Sequence, residues 1–483
     1  VALQFPYRMT PGVDFIAPRC VRRGLAASAG GGDADEELSP VVDAADFKPK
    51  SEFLQTMMAR GFYHQCTDLE SLDEALSGDS PVTAYLGFDA TASSLHVGSL
   101  LQIMLLRHFQ RCGHRPLVLV GGGTTKVGDP SGKDESRRML DEAAIQSNIA
   151  GISSVFSKFL SFEGSDGEDE ESGGNLAKLV DNNDWLEPLN YLEFLRSYGP
   201  HFTINRMMNF ESVKLRLERE QPLTLLEFNY MILQAYDFLE LNRREGCVLQ
   251  FGGSDQWGNI VNGIDLTRKV ERKAVFGMTA PLITTSDGKK MGKSAAGAVW
   301  LNSDLVTPYD YWQFWRNTAD ADVERFLKLF TELDLAEVAR ITQVEGAAIN
   351  DAKVVLADEC TSLLHGPDVL PAIKETAAAL FAENKAQGKG GAPTSTENLP
   401  RLVLSFAELS ASTSILPGGK EAPGKALVDV LVALDMASSK AEARRLIKGG
   451  GARVGGEKVV DESFCLSGIA AGTEVLVSAG KKR

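Results

Sequence analysis

The chain has 483 residues, enough for two or three domains, each with a core of its own. Apolar residues make up 43% and charged residues 24%, a globular balance, and no apolar run is long enough to cross a bilayer. The net charge of −15 excludes a protein that coats nucleic acid over its whole surface, while leaving room for a local basic patch. The six cysteines, Cys20, Cys66, Cys112, Cys247, Cys360 and Cys465, are scattered, without CxxC or a Cys/His cluster. That spacing predicts neither a zinc site nor a disulfide framework, and points to a reducing compartment.

In chain order, residues 1–32 carry Arg8, Arg19, Arg22 and Arg23 against one acid, Asp14, and end in AASAGGG. Such a leader resembles an organellar transit peptide, for a chloroplast or a mitochondrion. A plain disordered tail, on a cytoplasmic protein, has the same composition. Val1 is not an initiator methionine, so the chain is read as incomplete or trimmed. Globular patterning begins near Phe47, and residues 47–302 form the first expected domain. Val82–Gly87 reads as a buried strand. Val97, Leu100, Leu101, Met104, Leu105 and Phe109 follow at helical spacing, with Gly113 as a stop. PLVLV, Pro116–Val120, is wholly apolar, as a parallel strand covered on both faces should be. Strand, loop, helix, strand is half of a doubly wound, Rossmann-like α/β fold. Residues 163–174 hold six acids and no base, which predicts an exposed disordered insertion. Residues 303–400 are read as a mostly helical domain that runs out into a linker-like end. Residues 401–424 are read as linker, and 425–483 as a small basic module with ten Lys/Arg against seven Asp/Glu.

Three groups of residues carry chemistry. Leu95-His96-Val97-Gly98-Ser99 lies between a strand and a helix, where an imidazole and the helix N-terminus both favour a phosphate. Gly98 permits close approach there. A histidine that merely caps the helix gives the same tetrapeptide. Lys289-Lys290-Met291-Gly292-Lys293-Ser294 sets Lys290 and Lys293 three apart on a glycine-containing loop, able to bring two ammonium groups over pyrophosphate. An exposed basic turn looks alike. Tyr230, Gln234 and Asp237 share one face of an otherwise apolar helix. A buried polar stripe needs partners, supplied either by a bound zwitterion with a phenol or by the protein itself.

Taken together, HVGS and KMGKS, in this order and about two hundred residues apart, resemble the HIGH and KMSKS signatures of class I aminoacyl-tRNA synthetases. Gly292 replaces a serine, Ser99 ends the first motif, and Ala90 stands where proline is common. YLGFDATASSLHVGSL, GDPSGKDESRR, NYMILQAYDF and GGSDQWGN extend the similarity to the tyrosyl-tRNA synthetases of bacterial and organellar type, over roughly residues 50–483.

The resemblance implies roles. Tyr85 and Asp237 would bond the phenol, and Asp129, Tyr230 and Gln234 the α-ammonium. Asp89, Gly253, Asp255 and Gln256 would line the adenylate and carboxylate region. His96 and Thr91 would bind the γ-phosphate, and Lys290 and Lys293 the pyrophosphate. Lys133 and Arg137 add further charge, or else a solvated helix face. Asp129 could equally cap a helix, and Asp255 and Gln256 could satisfy loop backbone. Leu86 stands where some members carry a ribose-binding cysteine. The implied reaction joins L-tyrosine to ATP, with Mg2+ and no zinc, and then to tRNA(Tyr). A homodimer and no membrane attachment are expected. ALVDVLVALDMASSKAEARRLIKGGGARVGGEKVVDE resembles the S4 RNA-binding fold, with Lys440, Arg444, Arg445 and Lys448 toward phosphates, or as an ordinary solvated basic helix. A tryptophan-specific sister enzyme lacks a reason for the Tyr85/Asp237 pair. A non-catalytic RNA-binding descendant predicts damaged motifs, and a generic nucleotidyltransferase leaves the pocket helix unexplained.

Overall fold

The computed structural model describes residues 47–131, 140–164, 175–286, 288, 291, 293–294, 297–344, 346–385, 413–415, 421–434, 436–437, 439–455, 457–466, 475 and 477–479. The leader, Lys133, Arg137, Lys290 and most of the acidic insertion lie outside them.

A six-stranded sheet forms the centre, in the order β1-β6-β5-β2-β3-β4. Its strands are β1 (Gln65–Cys66), β2 (Thr83–Phe88), β3 (Arg115–Val120), β4 (Lys178–Asp181), β5 (Leu249–Gly253) and β6 (Phe276–Ala280). All pairings are parallel except that of the edge strand β1 with β6. The helices of this part are α1 (Glu52–Arg60), α2 (Leu69–Leu76), α3 (Val97–Arg111) and α4 (Glu142–Phe156). After β4 come α5 (Asn183–Leu186), α6 (Tyr191–Tyr198), α7 (Ile204–Met208) and α8 (Glu211–Glu218). Two longer helices, α9 (Leu225–Glu245) and α10 (Trp257–Glu271), complete it. β3 shows why a parallel strand reads as an unbroken apolar run. Val118 packs into the core on the α3 side, while Leu117 and Leu119 pack into the opposite core with α9 and α10.

Helix boundaries follow local chemistry. α9, 21 residues long, starts at a capping box, Thr224 with Glu227, and stops at Gly246 with φ +64°. α3 ends at Cys112, and Gly113 turns away at φ +85°. The stop at Gly113 is where the sequence places it.

The expected helical region is present as α11 (Pro308–Arg316), α12 (Val323–Phe330), α13 (Leu335–Thr342), α14 (Ile349–His365) and α15 (Leu370–Lys385). It is not separated from the sheet by a break in the core. Phe53, Met104 and Phe109 belong to the same buried cluster as Trp315, Phe330 and Ile373. Polar contacts reinforce the join. Arg60 donates to the carbonyls of Lys328, Thr331 and Leu333, and Arg107 grips Glu332 through two bonds of 2.6 and 2.9 Å. Arg107 and Arg111 hold the Glu332 carboxyl far below its usual range, at about 2, although burial pushes it upward.

Two expectations are modified. Glu163, at the start of the acidic insertion, pairs with Arg115 at 2.8 Å, so the ordered chain reaches into the segment read as disordered. The 401–424 linker contains an antiparallel pair, β9 (Thr413–Ile415) with β10 (Glu421–Pro423). The last module consists of β11 (Lys425–Ala426), α16 (Leu427–Ala433), α17 (Lys440–Lys448), β12 (Ala452–Val454), β13 (Glu457–Val459), β14 (Cys465–Leu466) and β15 (Val477–Ala479) around its own small core. No described helix is long and apolar enough to cross a membrane.

Candidate active site

The strand order reverses at β2, with β3 on one side and β5 on the other. At such a switch point the loops leaving the carboxyl ends of the strands part and open a crevice. The candidate residues come from those ends: Asp89 after β2, the Gly121–Thr124 turn after β3, Asn182 after β4, and Asp255 and Gln256 after β5. Helix α9 supplies the facing wall.

Its deepest point is Asp237 on α9, 1% exposed. The indole of Trp185 donates to Oδ1 at 2.8 Å and the Asn182 amide to Oδ2 at 3.0 Å. Burial pushes the carboxyl up to about 8 against the pull of those donors, and the charges of Asp89 and Asp181 push the same way. Tyr85 on β2 is equally buried, its ring 5.3 Å from that of Phe238. Its hydroxyl has no hydrogen-bond partner among the described residues. Burial, then the nearby Asp237 charge, drives the Tyr85 phenol far above its normal range. An orphan hydroxyl beside a buried carboxyl costs free energy unless something polar bonds both. A phenolic O–H has the donor and the acceptor to do so.

The pocket widens toward a second polar cluster. Tyr230 donates to Asp89 Oδ2 at 3.1 Å, and Thr124 donates to Asp89 Oδ1 at 2.8 Å. Burial, followed by the charges of Asp89, Asp129 and Asp237, pushes the Tyr230 hydroxyl well up. Gln256 donates to Asp129 Oδ2 at 2.9 Å, and the Asn259 amide donates to both Gln256 and Gln234 at 3.0 Å. Three carboxylates around Tyr230 make a setting that a cation would stabilise. Asp129 Oδ1 also accepts from the Ser131 amide at 2.9 Å, and the helix that it could cap would fall at 132–139, outside the described residues. Asn182, Trp185, Thr124 and Asn259 were not singled out from sequence. Asn182 and Trp185 lie 55 and 52 residues from the carboxylate they serve, and nothing in their local pattern marks them.

The two signature segments meet. His96 caps α3, its Nδ1 accepting from the Gly98 amide at 3.0 Å, which leaves Nε2 to carry the proton of a neutral ring. The capping reading, which uses Nδ1, therefore does not exclude the phosphate-binding one. A Cβ on Gly98 would lie 2.7 Å from the imidazole Cε1 and 2.9 Å from the carbonyl of Met291, in the middle of KMGKS. Val97 donates to the carbonyl of Val299 at 3.0 Å and Leu301 to that of Leu95 at 2.8 Å. Backbone hydrogen bonds thus tie the entry of the first motif to the exit of the second. Thr91 is exposed on the loop after β2, its amide bonded to the Asp89 carbonyl at 2.9 Å. Gly253 ends β5, with no room for a side chain beside Asp255. Of Lys293 the backbone alone is described, paired with Ala298 in a short hairpin, β7 (Lys293–Ser294) with β8 (Gly297–Ala298).

In the terminal module, Arg444 and Arg445 are exposed on α17. Lys440 and Lys448 are exposed too, but each has a carboxylate partner, Asp429 at 2.8 Å and Glu462 at 3.3 Å. The four are therefore not equivalent. Arg453 and Lys458, not singled out from sequence, stand opposite one another on β12 and β13, both exposed.

A parallel sheet whose switch point gathers HVGS, the KMGKS loop and an acidic pocket defines a class I aminoacyl-tRNA synthetase. The family model described as tRNA synthetases class I (W and Y) matches residues 77–382, and that of the S4 domain matches residues 427–467. The tyrosine--tRNA ligase of Zymomonas mobilis subsp. mobilis is 55% identical over 433 residues, covering 90% of this chain and 97% of the relative. That of Caulobacter sp. (strain K31) is 54% identical over 446 residues, 91% and 98% of the two chains. Among solved structures, a C-terminally truncated mitochondrial tyrosyl-tRNA synthetase of Aspergillus nidulans superposes with a TM-score of 0.61 at 30% identity, over 70% of this chain and 96% of that one. This chain belongs to the tyrosine--tRNA ligases, the family that activates tyrosine and charges tRNA.

The Asp237 carboxyl titrates near 3.8 when unfolded and near 8 in the fold, so the folded protein keeps a proton that the unfolded chain releases over that interval. This group's contribution to stability therefore falls as pH rises from about 4 to about 8. In ligand-free protein, the melting temperature of Asp237→Asn relative to wild type should climb across that range and level off above it. A difference independent of pH in calorimetry would mean that Asp237 ionises at its ordinary value.

Proposed function

We propose that the pocket binds L-tyrosine with its phenol between Tyr85 and Asp237 and its α-ammonium among Asp129, Tyr230 and Gln234. The observation that carries this reading is the buried Tyr85 hydroxyl without a partner beside the buried Asp237 carboxyl. Phenylalanine would leave the Tyr85 hydroxyl without a partner and offer Asp237 nothing, whereas the tyrosine phenol can bond both. Tyrosyl enzymes are themselves the reference case for such discrimination, about 10⁵ without editing.

ATP, taken as its magnesium complex, enters along Asp89, Gly253, Asp255 and Gln256. The tyrosine carboxylate is already a nucleophile, so the reaction needs no general base. Its oxygen attacks the α-phosphorus, the bond to the bridging oxygen breaks, and pyrophosphate carries the electron pair away. Catalysis then rests on placement and charge stabilisation. His96, donating from Nε2, and Thr91 hold the γ-phosphate. Lys290 and Lys293 draw charge from the leaving pyrophosphate, assisted by Lys133 and Arg137. A terminal ribose hydroxyl of tRNA(Tyr) next attacks the tyrosyl carbonyl and releases AMP. The exposed face of Arg444 and Arg445, with Lys440, Lys448 and Arg453, contacts tRNA phosphates. The Arg-rich, acid-poor leader supports import into a chloroplast or mitochondrion.

A homodimer fits the surface. Large apolar side chains stand in solvent through residues 191–226, among them Tyr191, Leu192 (73% exposed), Ile204 and Leu225 (74%). That density exceeds what a free surface usually carries, and a second copy covering the same segment would remove it from water.

ATP–pyrophosphate exchange tests the assignment. Tyrosine should support exchange, phenylalanine and tryptophan should not, and His96→Ala should lower the rate by roughly 10²-fold. Absence of exchange with every amino acid, from demonstrably folded protein, overturns it. Replacing Arg444 and Arg445 by alanine should weaken tRNA binding and flatten its salt dependence by about one to two units of log–log slope, with exchange unchanged. An unaltered slope removes these arginines from the RNA surface. Leu192→Asp should shift the sedimenting species from dimer to monomer, and an unshifted dimer places the interface elsewhere.

A further inference from the structure

We propose that Trp300 is a positioning residue for the His96 imidazole, an inference that rests on the tyrosine-activating role given to His96 above. Trp300 stands directly across from His96 in an antiparallel bridge. Its indole and the imidazole are 6.2 Å apart between centroids, tilted by 45°. Hydrogen bonds flank this pair on both sides, from Val97 to the Val299 carbonyl and from Leu301 to the Leu95 carbonyl, so the two rings face one another across a fixed register. Val97, Val299 and Leu301 are all buried, which holds the backbone beneath the pair in place.

Gly98 also lies close against the imidazole. A hypothetical Cβ there would come within 2.9 Å of Nδ1, so the ring lies against bare backbone. The Gly98 amide fixes Nδ1 at 3.0 Å. Two features therefore act on the same ring: a hydrogen bond to Nδ1 sets which nitrogen faces outward, and the indole stands beside the ring across the bridge. A histidine free to rotate about its Cα–Cβ bond would sample several rotamers, whereas a ring held by the Gly98 amide with the indole beside it keeps Nε2 aimed one way. Holding a donor where charge develops is the kind of preorganisation that lowers a barrier. The indole needs no contact with substrate for this.

Trp300 also stands just beyond the KMGKS loop. The residue that follows the second motif thus braces the functional residue of the first, although 204 positions separate them in the sequence.

A double-mutant cycle in ATP–pyrophosphate exchange tests the proposal. Trp300→Ala should reduce kcat/KM for ATP roughly tenfold, and Trp300→Phe should recover most of the loss, since a planar ring remains. In a His96→Ala background, Trp300→Ala should change kcat/KM by less than about twofold, because the group it positions is already gone. Melting temperatures of all variants identify any that fail to fold, in which case Trp300→Leu replaces the alanine variant. Additive losses in the two backgrounds, or an unchanged rate in Trp300→Ala, overturn the positioning role. Equal exchange by His96→Ala and wild type removes instead the role of His96, and the proposal falls with it.

Discussion

The pocket depends on one costly arrangement, the burial of the Asp237 carboxyl with neutral donors rather than a cation on its two oxygens among the described residues. Trp185 and Asn182 donate to its two oxygens, and Asp89 and Asp181 add negative charge nearby. Each of these facts shapes its neighbours. Asn182 also donates to Thr124, which donates to Asp89, which in turn accepts from Tyr230. A continuous chain of hydrogen bonds therefore runs from Asp237 through Asn182 and Thr124 to Asp89 and Tyr230. Such a network holds a single geometry because every buried member must be satisfied. The Tyr85 hydroxyl stands outside it, without a partner among the described residues.

The second organising feature is backbone. The two signature motifs function as one site because the segments 95–97 and 299–301 pair through main-chain bonds, and because Gly98 lets the carbonyl of Met291 come close. Side chains alone would not hold two loops from opposite ends of a domain in register. The same pairing sets Trp300 beside His96.

The third is the shared core. Arg60, Arg107 and Arg111 reach from the sheet-bearing part to the end of α12 and its following turn, over apolar packing that runs without interruption from Phe53 to Ile373. A guanidinium that satisfies helix-terminal carbonyls replaces the water that would otherwise fill such a junction. Sheet and helices are thus bound by one buried surface rather than by a linker, although the composition suggested a boundary near residue 302.

What the sequence by itself determined was set by short-range chemistry. The apolar run Pro116–Val120, the spacing along α3 and the polar stripe Tyr230, Gln234 and Asp237 are all legible because strand and helix periodicity act over a few residues. HVGS and KMGKS were legible for the same reason, and so was the family to which they point. The tertiary structure decided which partners those residues have. Asn182 and Trp185 reach Asp237, Asn259 bridges Gln234 and Gln256, Trp300 faces His96, and carboxylates engage Lys440 and Lys448 but were invisible in the composition of a basic module. Local pattern fixes which face of an element is buried. It carries no record of what lies across that face, because such contacts arise when strands and helices distant in the chain pack together.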